Sequence, residues 1–538
     1  MLLYFTLSIA AICLIYQWRR KRTTTARMPL PPGPRPLPII GNVGEMPRQG
    51  VPQWLHWLGH KEKYGPISSI TIFGQPIIIL NEAQCAVDLL EKRSAMYSAR
   101  PVQPFMEMTG WAKTMATPAN TAHYAKMRKA LHQEIGTARS FSRFEDMLDV
   151  EIRRLLLRVL ETPGEVRRHL KKESCAVILK MTYGYTVEPR GDDPLVDLAE
   201  KAVDQICQAM LPGTWLVDYL PILKYVPPWF PGAGFVRTAE EYRKYASIFL
   251  NVPYLFVKKR VAKGEGKFTP CHLSRRLQSY HGNIPEDEEE VLKWSGLEFY
   301  LGGSDTTVST MLSFIRAMRH YPAVQQKAQA EIDALMGPSP SRLPGLQDRD
   351  NLPYVNAVVK EALRWHPALP TASPHMSIKD DEYNGFFLPK GAVFVPNIWA
   401  YAHDPNTYPS PHEFKPERFL THKPEQDPRA IVFGFGRRAC PGQIMADVKV
   451  YLTIVRFLAC FDITPKSKEG KQSGEEDLDF DLLNAFIPAI LSHPKPFEVD
   501  IRIRSERYEE LVRGVEVDVP WERSDAERIG EILNEVQG

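Results

Sequence analysis

The 538-residue chain has few cysteines and no pairing pattern among them. The seven, at 13, 85, 175, 207, 271, 440 and 460, are odd in number, scattered, and never form a CxxC pair. That excludes a disulfide framework and the ligand spacing of a structural zinc site. Net charge is nearly absent too, since 67 basic and 64 acidic residues leave +3. No single-sign face therefore marks a nucleic-acid binder. Asn-X-Ser/Thr acceptors are missing, which agrees with a cytosolic body. No flavin or nicotinamide fingerprint occurs, so a redox reaction would draw its electrons from another protein. Nor does any repeat or low-complexity block split the chain.

What is present begins with "LLYFTLSIAAICLIY", fifteen uncharged residues followed closely by "RRKR". At ~1.5 Å per residue this run reaches the lower limit for crossing a bilayer. A cleaved secretory signal is the alternative, but the positive n-region and small-residue cleavage site it needs are missing. We read residues 1–18 as an uncleaved membrane anchor, with the basic cluster keeping the rest in the cytoplasm. Residues 19–42 form a basic and proline-rich linker, stiffened by "PLPPGPRPLP". A catalytic body is expected over 43–500 and a charged, solvated tail over 501–538.

The body reads as mainly α with small β-sheets. "PISSITIFGQPIIILN" (66–81) predicts a hairpin, and "GFFLPKGAVFVPNIW" (385–399) a second one. One long helix is expected from Glu286 to His320, with acids in its first turn and bases in its last. Gly302 and Gly303 in its middle cost helix stability, which suggests a close approach to the backbone.

"FGFGRRACPG" (433–442) surrounds Cys440 with three glycines and two arginines. Pro441 suits the first position of a helix whose apolar face continues through Ile444, Val448, Leu452 and Val455. Amide donors, the helix dipole, Arg437 and Arg438 would then favour thiolate over thiol. Gly436 and Gly442 would let backbone pass close to a flat ligand. A buried cysteine in a tight turn is the plain alternative. The ordered string Phe433, Gly436, Arg438, Cys440, Gly442, however, resembles the haem-thiolate loop of the cytochrome P-450 family. The style is that of the microsomal monooxygenases of filamentous fungi, of the O-methylsterigmatocystin oxidoreductase type.

The resemblance implies a cytochrome P-450 fold behind one N-terminal transmembrane helix. It makes Cys440 the metal ligand of haem b (iron protoporphyrin IX), Arg438 a propionate partner and Phe433 a neighbour of the sulfur. "GGSDTT" (302–307) resembles the family's oxygen-activation site, with Asp305 and Thr306 as the acid–alcohol pair that delivers protons. Glu361 and Arg364 in "EALR", three apart on one helical face, would join Arg418 of "PERF" in a structural network. His375 and Arg128 fall where relatives carry groups facing the haem edge. Tyr124 stands where the family has tryptophan, and is either a propionate partner or a surface phenol.

By position, the substrate pocket would draw on Phe105, Met106, Trp111, Phe299, Gly302, Ala372, Phe486 and Ile487. They are largely apolar and suit a lipophilic molecule; core packing is the alternative for each. "YLPILKYVPPWFPG" (219–232) is either an internal loop or a segment dipping into the lipid interface. The reaction implied is insertion of one oxygen atom from O2 into a lipophilic secondary metabolite of polyketide or terpenoid type. NADPH-cytochrome P-450 reductase would supply electrons at the endoplasmic reticulum membrane, docking near Lys126, Lys129 and Arg437. Two rivals are a same-fold rearrangement catalyst or peroxygenase, and a non-enzymatic haem-binding protein. The intact Asp305–Thr306 pair argues against the first.

Overall fold

The computed structural model describes residues 28–48, 50–116, 121–265, 270–281, 283–466 and 481–537. The expected anchor and the start of the linker lie outside the described residues. Among those described, no helix is long and apolar enough to cross a membrane.

Helices dominate. Those that position the site or close the fold are α1 (Thr121–Ile135), α2 (Glu145–Glu161), α3 (Val166–Tyr183) and α4 (Pro194–Ala209). They continue with α5 (Gly234–Ala262), α6 (Glu286–Gly303), α7 (Thr306–His320), α8 (Pro353–Trp365), α9 (Gln443–Cys460), α10 (Glu506–Arg513) and α11 (Ala526–Gln537). Local chemistry fixes their ends. Asp193 caps α4 by accepting from the Leu195 and Val196 amides, ahead of Pro194 at the first position. Gly184 ends α3 with φ of 64°. Four acids, Glu286 to Glu289, open α6 against its dipole. α7 runs through the core, with Val308, Met311, Leu312, Phe314 and Ile315 all buried.

The single long helix expected over 286–320 is instead two. α6 stops at Gly303 and α7 starts at Thr306, with Ser304 and Asp305 between them. The Thr306 hydroxyl donates to Gly302 O at 2.7 Å, so a side chain takes a carbonyl at the junction.

The first hairpin forms as expected: β1 (Ile67–Ile72) pairs antiparallel with β2 (Gln75–Leu80). Phe73 and Gly74 turn the chain with φ of 46° and 85°. The second does not. β4 (Asp381–Tyr383) and β5 (Phe386–Leu388) pair around Asn384–Gly385, while β6 (Val393–Pro396) runs parallel to β2 and antiparallel to β3 (His375–Met376). The Asn-Gly turn signal lies at the upstream edge of the expected hairpin, and it sets a different pair. The resulting order β1-β2-β6-β3 puts His375 on an edge strand.

The tail is not the solvated appendage its charge suggests. β8 (Asp500–Ile503) pairs with β7 (Phe461–Thr464) across the expected boundary at residue 500. Beyond it, Val512, Val515, Ile529 and Ile532 are buried. α11 packs along α5 and touches α4. Asp525 clamps Thr186 twice, by backbone at 2.9 Å and by carboxylate at 3.0 Å. The charges face outward around an apolar stripe, which net composition hides.

Candidate active site

The Cys440 loop folds on itself. The Cys440 amide donates to Phe433 O at 2.8 Å, closing a turn that Gly434 and Gly436 enter with φ of 75° and 54°. α9 begins at Gln443, with Gly442 as the residue before it and Ala446 N bonding Gly442 O at 2.9 Å. Pro441 is therefore outside the helix rather than its first residue. Its place leaves the Gly442 amide free to bond the sulfur. That bond and the Arg128 charge favour thiolate, but burial outweighs both and pushes the thiol up.

Gly436 does not face the ligand space. A Cβ there would meet Ser94 Cβ at 2.7 Å, so its bareness serves packing against residues 90–94. Gly442 does line the cavity, as do Gly434 and Phe433.

That cavity, of about 320 Å³, lies between the Cys440 loop and the α6–α7 junction. Cys440 is the one cysteine on its wall, and its exposure opens inward. Across the junction the two glycines differ. A Cβ on Gly302 would meet nothing within 4 Å, whereas one on Gly303 would press into Ile178, 2.8 Å from Cγ1. Thr306 lines the same cavity. Asp305 does not: it opens onto a second cavity, where its Oδ2 lies 2.9 Å from His493 Nε2. Burial raises the Asp305 carboxyl, but His493, then Lys171 and Arg167, hold it below the usual range.

Basic groups gather at one rim. Arg438 reaches across to donate to Ser98 O at 2.7 Å and Met115 O at 3.0 Å. Arg100 donates to Ser373 O and Pro374 O at 2.6 and 2.7 Å, and its buried Nε has no partner. Burial pulls the Arg100 guanidinium down to about 9, and pushes neighbouring His375 well below the ordinary imidazole value. Among the described residues neither arginine forms an ion pair with a carboxylate, and Glu298 on the same wall accepts from the Met115 amide, so both guanidinium groups stay open to an anionic partner. Arg128 adds its charge from α1 without lining the cavity. Tyr124 lies outside the cavity as well. Its hydroxyl donates to Arg437 O at 3.0 Å, and its ring lies 3.8 Å from the Arg438 guanidinium carbon. It supports Arg438 by cation–π contact and is neither a cavity wall nor a free surface phenol.

Behind the loop, Glu361 and Arg364 make two parallel bonds of 2.8 Å. Glu361 Oε1 also accepts from Arg418 Nε at 3.2 Å and from the Lys415 amide at 2.7 Å. All three side chains are buried. The network ties α8 to the segment leading into the Cys440 loop.

The expected pocket splits. Phe299, Gly302 and Ala372 line the cavity. Phe105, Met106, Trp111, Phe486 and Ile487 do not. Phe105 stacks on Trp215 at 3.6 Å and Phe486 on His366 at 3.4 Å. Met106 and Trp111 are core, and Ile487 faces the Asp305 cavity. Large aromatics at these positions bury more area against each other than against a ligand space. Sequence reasoning missed Arg100, Glu298, Gly434, Lys449 and His493. Glu298 was findable, since 298, 302 and 306 share one helical face. Lys126, read as a docking charge, is paired with Asp287 and Glu288 at 2.7 Å; Lys129 and Arg437 are exposed.

One inward-facing sulfur beneath a glycine-opened helix junction, with two rim arginines that no described carboxylate ion-pairs, fits a planar metalloporphyrin bearing two carboxylates. That is the site of a haem-thiolate oxygenase. The Cytochrome P450 family model matches residues 31–498. Cytochrome P450 monooxygenase ppsD of Aspergillus oryzae is 44% identical over 99% of both chains. O-methylsterigmatocystin oxidoreductase of Aspergillus flavus is 42% identical over 98% of both. Cytochrome P450 monooxygenase claR of Ampulloclitocybe clavipes is 44% identical over 90% of this chain and 89% of its own. The chain belongs to the cytochrome P450 family. It is a haem-dependent monooxygenase, and the family's cofactor is haem held by a cysteine thiolate.

Proposed function

We propose that the chain oxidises a lipophilic secondary metabolite of a fungus, of polyketide or terpenoid type, with Cys440 as the haem ligand. The observation that carries this reading is the single thiol facing a cavity whose rim arginines, Arg438 and Arg100, donate to backbone carbonyls and form no ion pair with a carboxylate among the described residues. Haem bound here supplies activation of dioxygen and insertion of one oxygen atom into a substrate bond.

The chain's own residues bind, orient and move protons. Gly442 steadies charge on the sulfur through its amide, and Arg128 adds to it. Arg438, Arg100 and His375 hold the carboxylate edge, with Tyr124 beneath Arg438. Thr306 keeps a proton on Oγ1, donated at rest to Gly302 O, and can turn it toward the cavity. Asp305 takes protons from the His493 side and passes them to the junction. Glu361, Arg364 and Arg418 keep the loop rigid. Apolar walls exclude water.

A larger cavity of about 580 Å³ shares Ala372 and Ser373 with this one and is walled by Trp57, Val102, Met210 and Tyr219. It serves as the substrate's way in. Beside it, Ile222, Tyr225, Trp229 and Phe230 stand exposed, Trp229 by 80%. Their exposure supports the lipid-facing reading of residues 219–232 over that of an internal loop. Together with the apolar segment 1–18 they would hold the protein on the endoplasmic reticulum membrane, catalytic body in the cytosol. NADPH-cytochrome P-450 reductase on that membrane supplies electrons. Lys129 and Arg437 are the charges left to meet it.

The test is spectroscopic. Reduced, haem-loaded protein exposed to carbon monoxide should give the red-displaced Soret band of a thiolate-bound haem, and Cys440→Ser should lose it. Folded, haem-containing wild type without that band would overturn the assignment. Removing residues 1–22 should weaken membrane association, with the remainder lost on Trp229→Ser and Phe230→Ser.

A further inference from the structure

Glu298 lies on α6, one turn before Gly302. Among the described residues it is the only acid on the wall of the Cys440 cavity, whose other ionisable groups are Arg100, Arg438, His375 and Lys449. Lys449 is spent on Glu173 at 3.0 Å, and the arginines and His375 form the rim already described. Glu298 Oε1 accepts from the Met115 amide at 2.6 Å. Met115 O in turn accepts from Arg438 at 3.0 Å, so this peptide is fixed from both sides. Glu298 Oε2 takes no hydrogen bond among the described residues and is not sealed in protein.

A latch for the Met115 amide needs one acceptor. A carboxyl in an apolar wall costs far more desolvation than a glutamine doing the same work. Burial pushes this one up to about 7, against the milder pull of Arg438. A carboxyl can stand as acid or as carboxylate. A hydroxyl can pair with either form, donating to one and accepting from the other. A cation is attracted only by the ionised form.

We infer that Glu298 determines specificity by hydrogen-bonding a hydroxyl of the substrate through Oε2. The substrate class is then a lipophilic molecule with a free phenolic or alcoholic OH directed at α6. This rests on the haem-monooxygenase reading above and narrows its substrate.

The experiment is equilibrium binding to the haem-loaded protein, read by the ferric Soret spin shift and by calorimetry, with no turnover. Three probes share one skeleton: 9-phenanthrol, 9-methoxyphenanthrene and (9-phenanthrylmethyl)trimethylammonium. The wild type should bind the phenol about 10-fold more tightly than the ether, the scale of one hydrogen bond to a charged or strongly polar group. Glu298→Gln keeps an acceptor for the Met115 amide and should shrink that preference to about 3-fold or less. Glu298→Leu should abolish it. The carbon monoxide band of each variant, measured in parallel, separates this claim from the one it rests on. A normal band with an unchanged phenol-to-ether ratio in Glu298→Gln overturns the role of Glu298. Preference for the trimethylammonium probe, lost in Glu298→Gln, overturns the hydroxyl class in favour of a cation. Absence of the band in the wild type would overturn the haem reading itself.

Discussion

His493 Nε2 sits 2.9 Å from Asp305 Oδ2, joining the residue that opens the α6–α7 junction to the chain's returning segment. Asp305 keeps a low pKa against burial because His493, Lys171 and Arg167 face it across the second cavity. A carboxylate depressed in this way stabilises the fold above its unfolded pKa and loses that contribution as pH falls. His493→Leu removes the leading partner, so the Asp305 pKa should rise. Acid unfolding should then begin at higher pH than in the wild type. Product formed per NADPH consumed should drop several-fold while the carbon monoxide band stays normal. Equal coupling with a shifted acid limb would show that the pair is only structural, and an unmoved acid limb would remove its role in stability.

Gly302 and Gly303 are neighbours with opposite reasons to be bare. A Cβ at 302 enters open cavity, and one at 303 enters Ile178. Gly302→Ala should leave melting unchanged or raise it slightly, since alanine gains about 0.5–1 kcal/mol in a helix. It should weaken binding of bulky ligands. Gly303→Ala should cost about 1–3 kcal/mol by overpacking α3 against α6, with binding following stability. Melting curves and ligand titrations on both variants check the contrast.

Glu361 answers three donors in a site with no solvent: Arg364, Arg418 and the Lys415 amide. Glu361→Gln leaves the buried Arg364 without a charge partner and Arg418 with Glu425 alone, and breaking such a network costs about 3–5 kcal/mol. Expression as haem-free or aggregated protein is the expected outcome, measured by the ratio of Soret to protein absorbance. Haem content like the wild type's would remove this network from the scaffold of the Cys440 loop.

The parts legible in the sequence were those carried by short-range pattern. The Phe433–Gly442 string, the EALR spacing and the Gly-Gly-Ser-Asp-Thr-Thr run all sit together where one cavity and its support require them. The first hairpin was legible around Gly74, though its turn is Phe73–Gly74 and not the expected Gly74–Gln75. What escaped was side-chain direction and long-range pairing. Asp305 and Thr306 are adjacent, yet successive helical residues point about 100° apart, and they face different cavities. β6 pairs with β2 some three hundred residues earlier, which no local alternation encodes. Phe105, Trp111 and Phe486 have the composition of a pocket wall and the burial of a core, and only packing separates the two.

The tail shows the same limit from the other side, because its charges concealed a packed element. α11 lies on α5 with Ile529 and Ile532 inward, and Asp525 is bonded to both ends of the Thr186 peptide unit's surroundings through its amide and carboxylate. Ile529 is 0% exposed, so Ile529→Ala should cost about 2–5 kcal/mol. Truncation after residue 504 would remove Val512, Val515, Ile529 and Ile532 together and uncover the apolar faces of α2, α4 and α5 that they cover. The truncated protein should melt lower and be cut by protease within α5 far sooner than the full chain. Its carbon monoxide band should survive at low temperature, since no tail residue lines the Cys440 cavity. Loss of the band together with the fold at all temperatures would make the tail a folding requirement instead of a brace, and unchanged melting would return it to the solvated appendage its composition suggested.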